Sequence, residues 1–336
     1  MMQINEIEAI KSLLATPKKI GIIPHRNPDG DAMGSTLGLY HILKQLQHEV
    51  VVIAPNEFPE FLAWLPESEN IMIFERNIEE SRTFLEKCDL IFTLDFNALH
   101  RTGEAMEKVL ETLTATSIMI DHHQFPDGYA TYTFSDTSYG STCQMIYDFI
   151  YQLNYENYIN KTVATCLYTG IVTDSGSFRF PKTTSKTHQC VADLIEKGIK
   201  NSEIHNLLFD NSSYNRLLLL GKALQNLKIL DQYKTSYITL SQEELDAFGH
   251  QKGDTEGIVN YGLSINGIDF TAIFIENKEE GIIKISFRSQ GDFDVNQFAR
   301  KHFNGGGHIN AAGGKSFSSL EETVQQFIAI LASEKK

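Results

Sequence analysis

Four short segments carry residues able to do chemistry. His25, Asp29 and Asp31 stand in HRNPDGD, Asp95 closes DLIFTLD, Asp121, His122 and His123 close SIMIDHH, and Asp174 lies in TGIVTDSG. If these segments meet, four carboxylates crowd within a few ångströms. They raise one another's pKa values and destabilise the fold unless positive charge sits between them. Two divalent cations carry +4 against the −4 of Asp29, Asp31, Asp95 and Asp174. The imidazoles of His25 and His122 bring the donors to six, so bridging ligands or waters must complete two coordination shells. A mixed Asp/His set without thiolate favours Mn²⁺, Co²⁺ or Fe²⁺ over zinc, while Mg²⁺ usually takes oxygen ligands alone. Two such ions roughly 3.5–4 Å apart lower the pKa of a shared water to about 7 and stabilise both oxygens of an in-line displacement. The chemistry is metal-assisted hydrolysis of a phosphate ester. Taken singly, each motif has a plainer use: a D-x-D after a strand caps a helix, with Asp31 as the N-cap before Ala32. The conjunction and order of the four carry the argument.

The elements around these motifs explain how they would meet. Lys18–His25, Glu49–Ala54 and the apolar runs ending at Phe74, Asp95 and Asp121 read as strands. The continuous β-branched run EVVVIA suits a strand buried on both faces. Between them, 31–48, 79–87 and 103–113 have helical spacing. Alternation of this kind implies βαβ units, a mostly parallel sheet flanked by helices, and ligands bound at the carboxyl ends of the strands. Helices are expected over 138–153, 157–173, 185–197, 201–208 and 214–230. Beyond them, 236–240, 270–275 and 282–287 alternate like half-exposed antiparallel strands, with helices over 294–303 and 320–332. The expected organisation is a catalytic domain over 1–198, a helical connector over 199–234 and a smaller α+β domain over 235–336. The run Leu217–Leu220 suits helix packing or a homodimer contact.

The smaller domain holds GGGHINAAGG (305–314). Glycines 305, 306 and 307 would let backbone N–H groups approach an anion, and His308 would donate to phosphate. A glycine-rich turn packed under a helix is the plainer alternative. Arg288, ending the strand KISFRS, is expected to contact phosphate or ribose.

Composition sets the limits. The 336 residues are 42% hydrophobic and 21% charged, which is globular usage with room for two domains. The net charge of −14 disfavours binding of long duplex nucleic acid, which needs a basic face. Short anionic substrates remain compatible, because bound cations reverse the local sign. Cys88, Cys143, Cys166 and Cys190 form no C-x-x-C pair and read as buried free thiols. No apolar run is long enough for a secretory leader or a membrane span, so a cytoplasmic protein without a membrane partner is expected.

HRNPDGDAMGS (25–35), DFNALHR (95–101), DHH (121–123) and GIVTDSGSFRF (170–180) resemble the four motifs of the DHH phosphoesterases, and GGGHINAAGG resembles the signature of the DHH-associated C-terminal domain. Within that family the chain is most similar to the NrnA-type branch, bifunctional oligoribonucleases and adenosine 3′,5′-bisphosphate (pAp) phosphatases. The resemblance implies that His25, Asp29 and Asp95 hold one Mn²⁺ and that Asp31, Asp95, His122 and Asp174 hold the other, with Asp95 bridging. It implies His123 near the scissile phosphate, Asp121 orienting the histidines and Arg101 on phosphate, with Co²⁺ or Mg²⁺ as alternative ions. Short single-stranded RNA and small phosphorylated nucleotides are the implied partners. Cyclic di-AMP or pApA hydrolysis stays open beside this reading, as do exopolyphosphatase or pyrophosphatase activity and a non-catalytic nucleotide sensor. A lysine/arginine-rich motif expected of manganese pyrophosphatases is missing from the C-terminal domain.

Overall fold

The computed structural model describes residues 3–334, which form two compact units dividing between Asn211 and Ser212. The first unit is built on strands β1 (Lys19–Pro24), β2 (Glu49–Ala54), β3 (Met72–Ile73), β4 (Leu90–Leu94), β5 (Thr116–Asp121) and β6 (Tyr132–Ser135). Their order is β3-β2-β1-β4-β5-β6, and every neighbouring pair is parallel. This is a doubly wound order, in which the chain reverses direction of travel across the sheet between β1 and β4. All five residues of β4 are buried, as expected of a strand covered on both faces.

Helices Gly30–Gln45 and Lys161–Asp174 pack face to face and antiparallel: Gly30 lies against Thr173, Gly34 against Cys166 and Gly170, and Gly38 against Leu167. The N-terminus of the first helix therefore meets the C-terminus of the second, so Asp31 and Asp174 share one end. A Cβ on Gly34 would stand 2.5 Å from the Cys166 carbonyl oxygen, so only glycine admits this approach.

The second unit carries β7 (Lys228–Leu230), β8 (Thr235–Leu240), β9 (Phe270–Asn277), β10 (Ile282–Ser289), β11 (Gly306–Gly307) and β12 (Ala311–Ser316), in the order β11-β12-β10-β9-β8-β7. One face packs phenylalanines 270, 274, 287, 298, 303 and 327 against helices Val295–His302 and Leu320–Glu334. The other packs Ile238, Leu240 and Ile273 against Leu219 and Ala223 of helix Tyr214–Asn226.

Two expectations are corrected here. β8 and β9 pair parallel, not antiparallel. The chain between them, 241–269, holds helices Gln242–Ala247 and Asn260–Leu263 and is long enough for a crossover. The helix expected to run to Leu230 ends at Asn226, whose Nδ2 donates to the Thr239 carbonyl and to Glu244 Oε1; residues 228–230 then join the sheet beside β8. In the run Leu217–Leu220, only Leu219 is fully buried, while Leu217 and Leu218 are exposed.

Candidate active site

Register places the site. Pro24 of β1 is level with Leu94 of β4, and Leu94 with Ile120 of β5. The next residues, His25, Asp95 and Asp121, thus leave three adjacent strands in one row at their carboxyl ends, at the point where the topology switches. Asp95 turns the chain sharply, with φ +67° in the left-handed region that non-glycine residues rarely adopt. Strain of this kind, worth about 1–3 kcal/mol, persists where the surroundings over-determine it.

Asp29 corrects the expected cap. It, and not Asp31, is the N-cap of helix Gly30–Gln45: Oδ1 accepts from the N–H groups of Asp31 and Ala32 at 3.0 and 3.1 Å. Its other oxygen, Oδ2, lies 3.7 Å from His25 Nε2. One carboxylate serves both the helix and the site. Asp31 sits inside the first turn, fully buried.

Among the clusters of donor atoms that could hold a cation, two account for all six expected ligands. His25, Asp29 and Asp95 form one, and Asp31, His122 and Asp174 the other; within each, the atoms lie within 4.8 Å of one another. His25 Nε2 is 3.5 Å from Asp95 Oδ2, whereas His122 Nε2 is 3.4 Å from Asp95 Oδ1, 3.3 Å from Asp174 Oδ2 and 3.7 Å from Asp31 Oδ2. Asp95 therefore turns one oxygen to each group. Both imidazoles are fixed through Nδ1, which donates to the Arg26 carbonyl in His25 and to the Tyr139 carbonyl in His122. The donor set, carboxylate oxygens around imidazole nitrogens with no thiolate, fits Mn²⁺-like ions.

The electrostatics agree. Burial alone would lower the pKa of His25, yet hydrogen bonds to Asp29 and Asp95 push it up to about 10. Burial likewise opposes the charged form of His122, but Asp174 and Asp95 raise it well above its ordinary value. Asp31 is pushed up by burial and by the charges of Asp95 and Asp174. Burial also pushes Asp174 up, against the hydrogen bond from His122. Asp95 ends well below the usual range, because its bonds to His122 and His25 outweigh burial. Protons on the imidazoles neutralise charge that divalent cations would neutralise more fully.

The other expected site residues are distributed as follows. His123 Nδ1 donates to Asp121 Oδ1 at 2.7 Å, and its backbone N–H donates to Asp121 Oδ2 at 3.1 Å. Asp121 thus fixes the ring of His123, while the Tyr139 carbonyl performs that service for His122. Arg101 lies in the turn Leu99–Thr102, and its carbonyl accepts from Arg26 N–H, which ties the turn to the HRNPDGD loop. Arg288 and the 305–308 loop belong to the second unit. There the glycine N–H groups are taken up internally: Gly305 donates to the Ala299 carbonyl, Gly307 to Asn296 Oδ1 and His308 to the Ala311 carbonyl. A Cβ on Gly305 would stand 1.9 Å from the Gly313 carbonyl oxygen. Close hairpin packing thus explains Gly305, and the N–H groups of 305, 307 and 308 do not form an anion cradle.

Sequence reasoning missed the first turn of helix Thr142–Gln152. The N–H groups of Thr142 and Cys143 donate to Asp31 Oδ2 and Oδ1 at 2.5 and 2.9 Å, and Thr142 Oγ1 donates to Asp95 Oδ1 at 2.8 Å. Ser141, the N-cap, is a legible helix start; nothing local marks its neighbours as holders of two distant carboxylates.

An open parallel sheet with a buried carboxylate–imidazole centre at its switch point, followed by a smaller mixed-sheet unit, defines a two-unit α/β protein suited to phosphoester hydrolysis. The signature described as "DHH family, N-terminal domain" matches residues 19–171, and the "DHHA1 domain" matches 232–335. The "Bifunctional oligoribonuclease and PAP phosphatase NrnA" of Thermus thermophilus is 32% identical over 302 residues, covering 90% of this chain and 85% of that protein. The protein of the same name from Bacillus subtilis is 31% identical over 303 residues, covering 88% and 90%. The crystal structure of an exopolyphosphatase-related protein from Bacteroides fragilis superposes with a TM-score of 0.95 at 38% identity, over 100% of this chain and 98% of that one. The chain belongs to the DHH family and is a DHH-family phosphoesterase.

Proposed function

We propose that this enzyme hydrolyses short oligoribonucleotides and pAp with two divalent cations, Mn²⁺ by preference. The observation that carries the two-ion reading is Asp95, which faces one donor group with each carboxylate oxygen. His25, Asp29 and Asp95 would hold one ion, and Asp31, Asp95, His122 and Asp174 the other. When bound, such a pair activates water and neutralises phosphate oxygens. His123, its ring held by Asp121 through Nδ1, would lie near the scissile phosphate. Arg101, in the turn tied to the HRNPDGD loop, supplies positive charge to a phosphate. Within the second unit, Arg288 and the His308 side chain are the candidates for a phosphate contact. The names of the NrnA relatives support the choice of substrate class.

The test is parallel hydrolysis of pAp, RNAs of two to five residues, a 24-mer, pApA, cyclic di-AMP and pyrophosphate, with and without Mn²⁺. Release from pAp and the short RNAs, lost on chelation and in Asp95→Ala, is expected, with the 24-mer a poor substrate. Preferential turnover of cyclic di-AMP or pyrophosphate would replace the proposed substrate. Near wild-type activity and two-ion occupancy in Asp95→Ala would overturn the ligand assignment.

A further inference from the structure

We infer that Phe125 is a stacking platform for a nucleobase of the substrate, an inference that rests on the nucleotide reading above. Phe125 follows the DHH tripeptide by two residues, so its Cα lies within about 7 Å of that of His123. Phe125 is 64% exposed. Its backbone is also in the left-handed region, at φ +59°, which is costly for a bulky residue.

The loop is nevertheless held firmly. Asn97, 8% exposed and two residues beyond Asp95, donates from Nδ2 to the carbonyls of Gln124 and Phe125 at 2.6 and 3.2 Å. Its own carbonyl accepts from Asp127 N–H at 2.8 Å. Three hydrogen bonds from one residue tie the 124–127 loop to the strand end that carries Asp95. An aromatic ring presented to solvent by an over-determined, strained backbone beside a reaction centre is how a ligand contact is built.

The charge of the protein argues for the same occupant. At −14 net, the chain cannot draw nucleotides in through a broad basic groove. The cations and Arg101 serve the phosphates, whereas a base offers a neutral π-face that only a non-ionic contact can hold. Stacking on an aromatic ring is tolerant of base identity, so the platform adds affinity for nucleotides over plain phosphates without choosing among bases.

The experiment compares pAp with the same sugar bisphosphate lacking its base, on the Mn²⁺-loaded wild type, Phe125→Ala and Phe125→Trp. Isothermal calorimetry of AMP binding accompanies the kinetics. In Phe125→Ala, KM for pAp should rise about 5- to 150-fold, with kcat changed little and the base-free substrate unaffected. Phe125→Trp should restore KM, and AMP affinity should follow the same pattern. Circular dichroism checks that the exposed side chain's loss leaves the fold intact. Unchanged KM for pAp in Phe125→Ala would overturn the inference while leaving the phosphoesterase reading intact. An equal loss on the base-free substrate would overturn it too, tracing the effect to loop position. If the wild type neither hydrolyses pAp nor binds AMP, the nucleotide reading falls and the platform with it.

Discussion

Loading the metal-free protein with Mn²⁺ should expel protons, in a number set by the site. With its pKa at about 10, His25 is protonated at neutral pH when no cation is bound, and His122, raised well above 6.5, is protonated as well. Both rings donate Nδ1–H to backbone carbonyls, so only Nε2 can serve a cation, and that nitrogen must lose its proton first. At least two protons, one from each imidazole, should therefore leave at pH 7, and each makes apparent affinity fall tenfold per pH unit of acidification. Together they amount to about 100-fold, or about 2.7 kcal/mol, per unit. Calorimetric titration of Mn²⁺ in buffers of different ionisation enthalpy reads the proton count directly, and the same titration at pH 6, 7 and 8 reads the slope. Release of fewer than one proton, or affinity flat across that range, would refute the reasoning. The same shifts fix the stability of the metal-free fold. The contribution of His25 is fully present below its unfolded value of 6.5 and is lost as pH rises toward about 10. That of Asp95 is present above 3.8 and is lost as pH falls below it.

Gly170→Ala would place a Cβ 2.2 Å from Cys143 Sγ and 2.7 Å from Asp31 Oδ1, so this helix-favouring substitution should destabilise by about 1–3 kcal/mol. An unchanged or higher denaturant midpoint would contradict the packing. Thr142→Val removes the hydroxyl that donates to buried Asp95 and should cost the metal-free protein about 1.5–3 kcal/mol, while Thr142→Ser keeps most of the stability. Equal losses in the two variants, measured by denaturant unfolding, would assign the effect to the methyl group instead.

The parallel sheet was legible because EVVVIA and DLIFTLD are continuous apolar runs that only a doubly covered strand explains. The site was legible because its acids stand at the ends of those runs, and strand ends share an edge by topology. The second unit was harder. β12 reads AAGGKS and carries no apolar alternation; it pairs antiparallel with β10, with Gly314 opposite Ile285, and glycine there also lets the strand approach Phe303. The parallel pairing of β8 with β9 is set by the crossover between them, and strand alternation says nothing of direction. Thr142 and Cys143 act on carboxylates more than a hundred residues away in one case and about fifty in the other, through a helix end whose aim only the folded unit reveals.

The antiparallel fit of Gly30–Gln45 on Lys161–Asp174 also sets a timetable for synthesis. Asp31 leaves the ribosome early but finds Asp174, and the helix that carries it, only after most of the first unit has been made. The trio His25, Asp29 and Asp95 is complete in sequence roughly eighty residues sooner, a lag of about 4–16 s at about 5–20 residues per second. Through that interval a nascent chain lacks Asp174 and, until residue 122 is made, His122. The donor group of Asp31, His122 and Asp174 is thereby reserved for chains in which most of the first unit has been made.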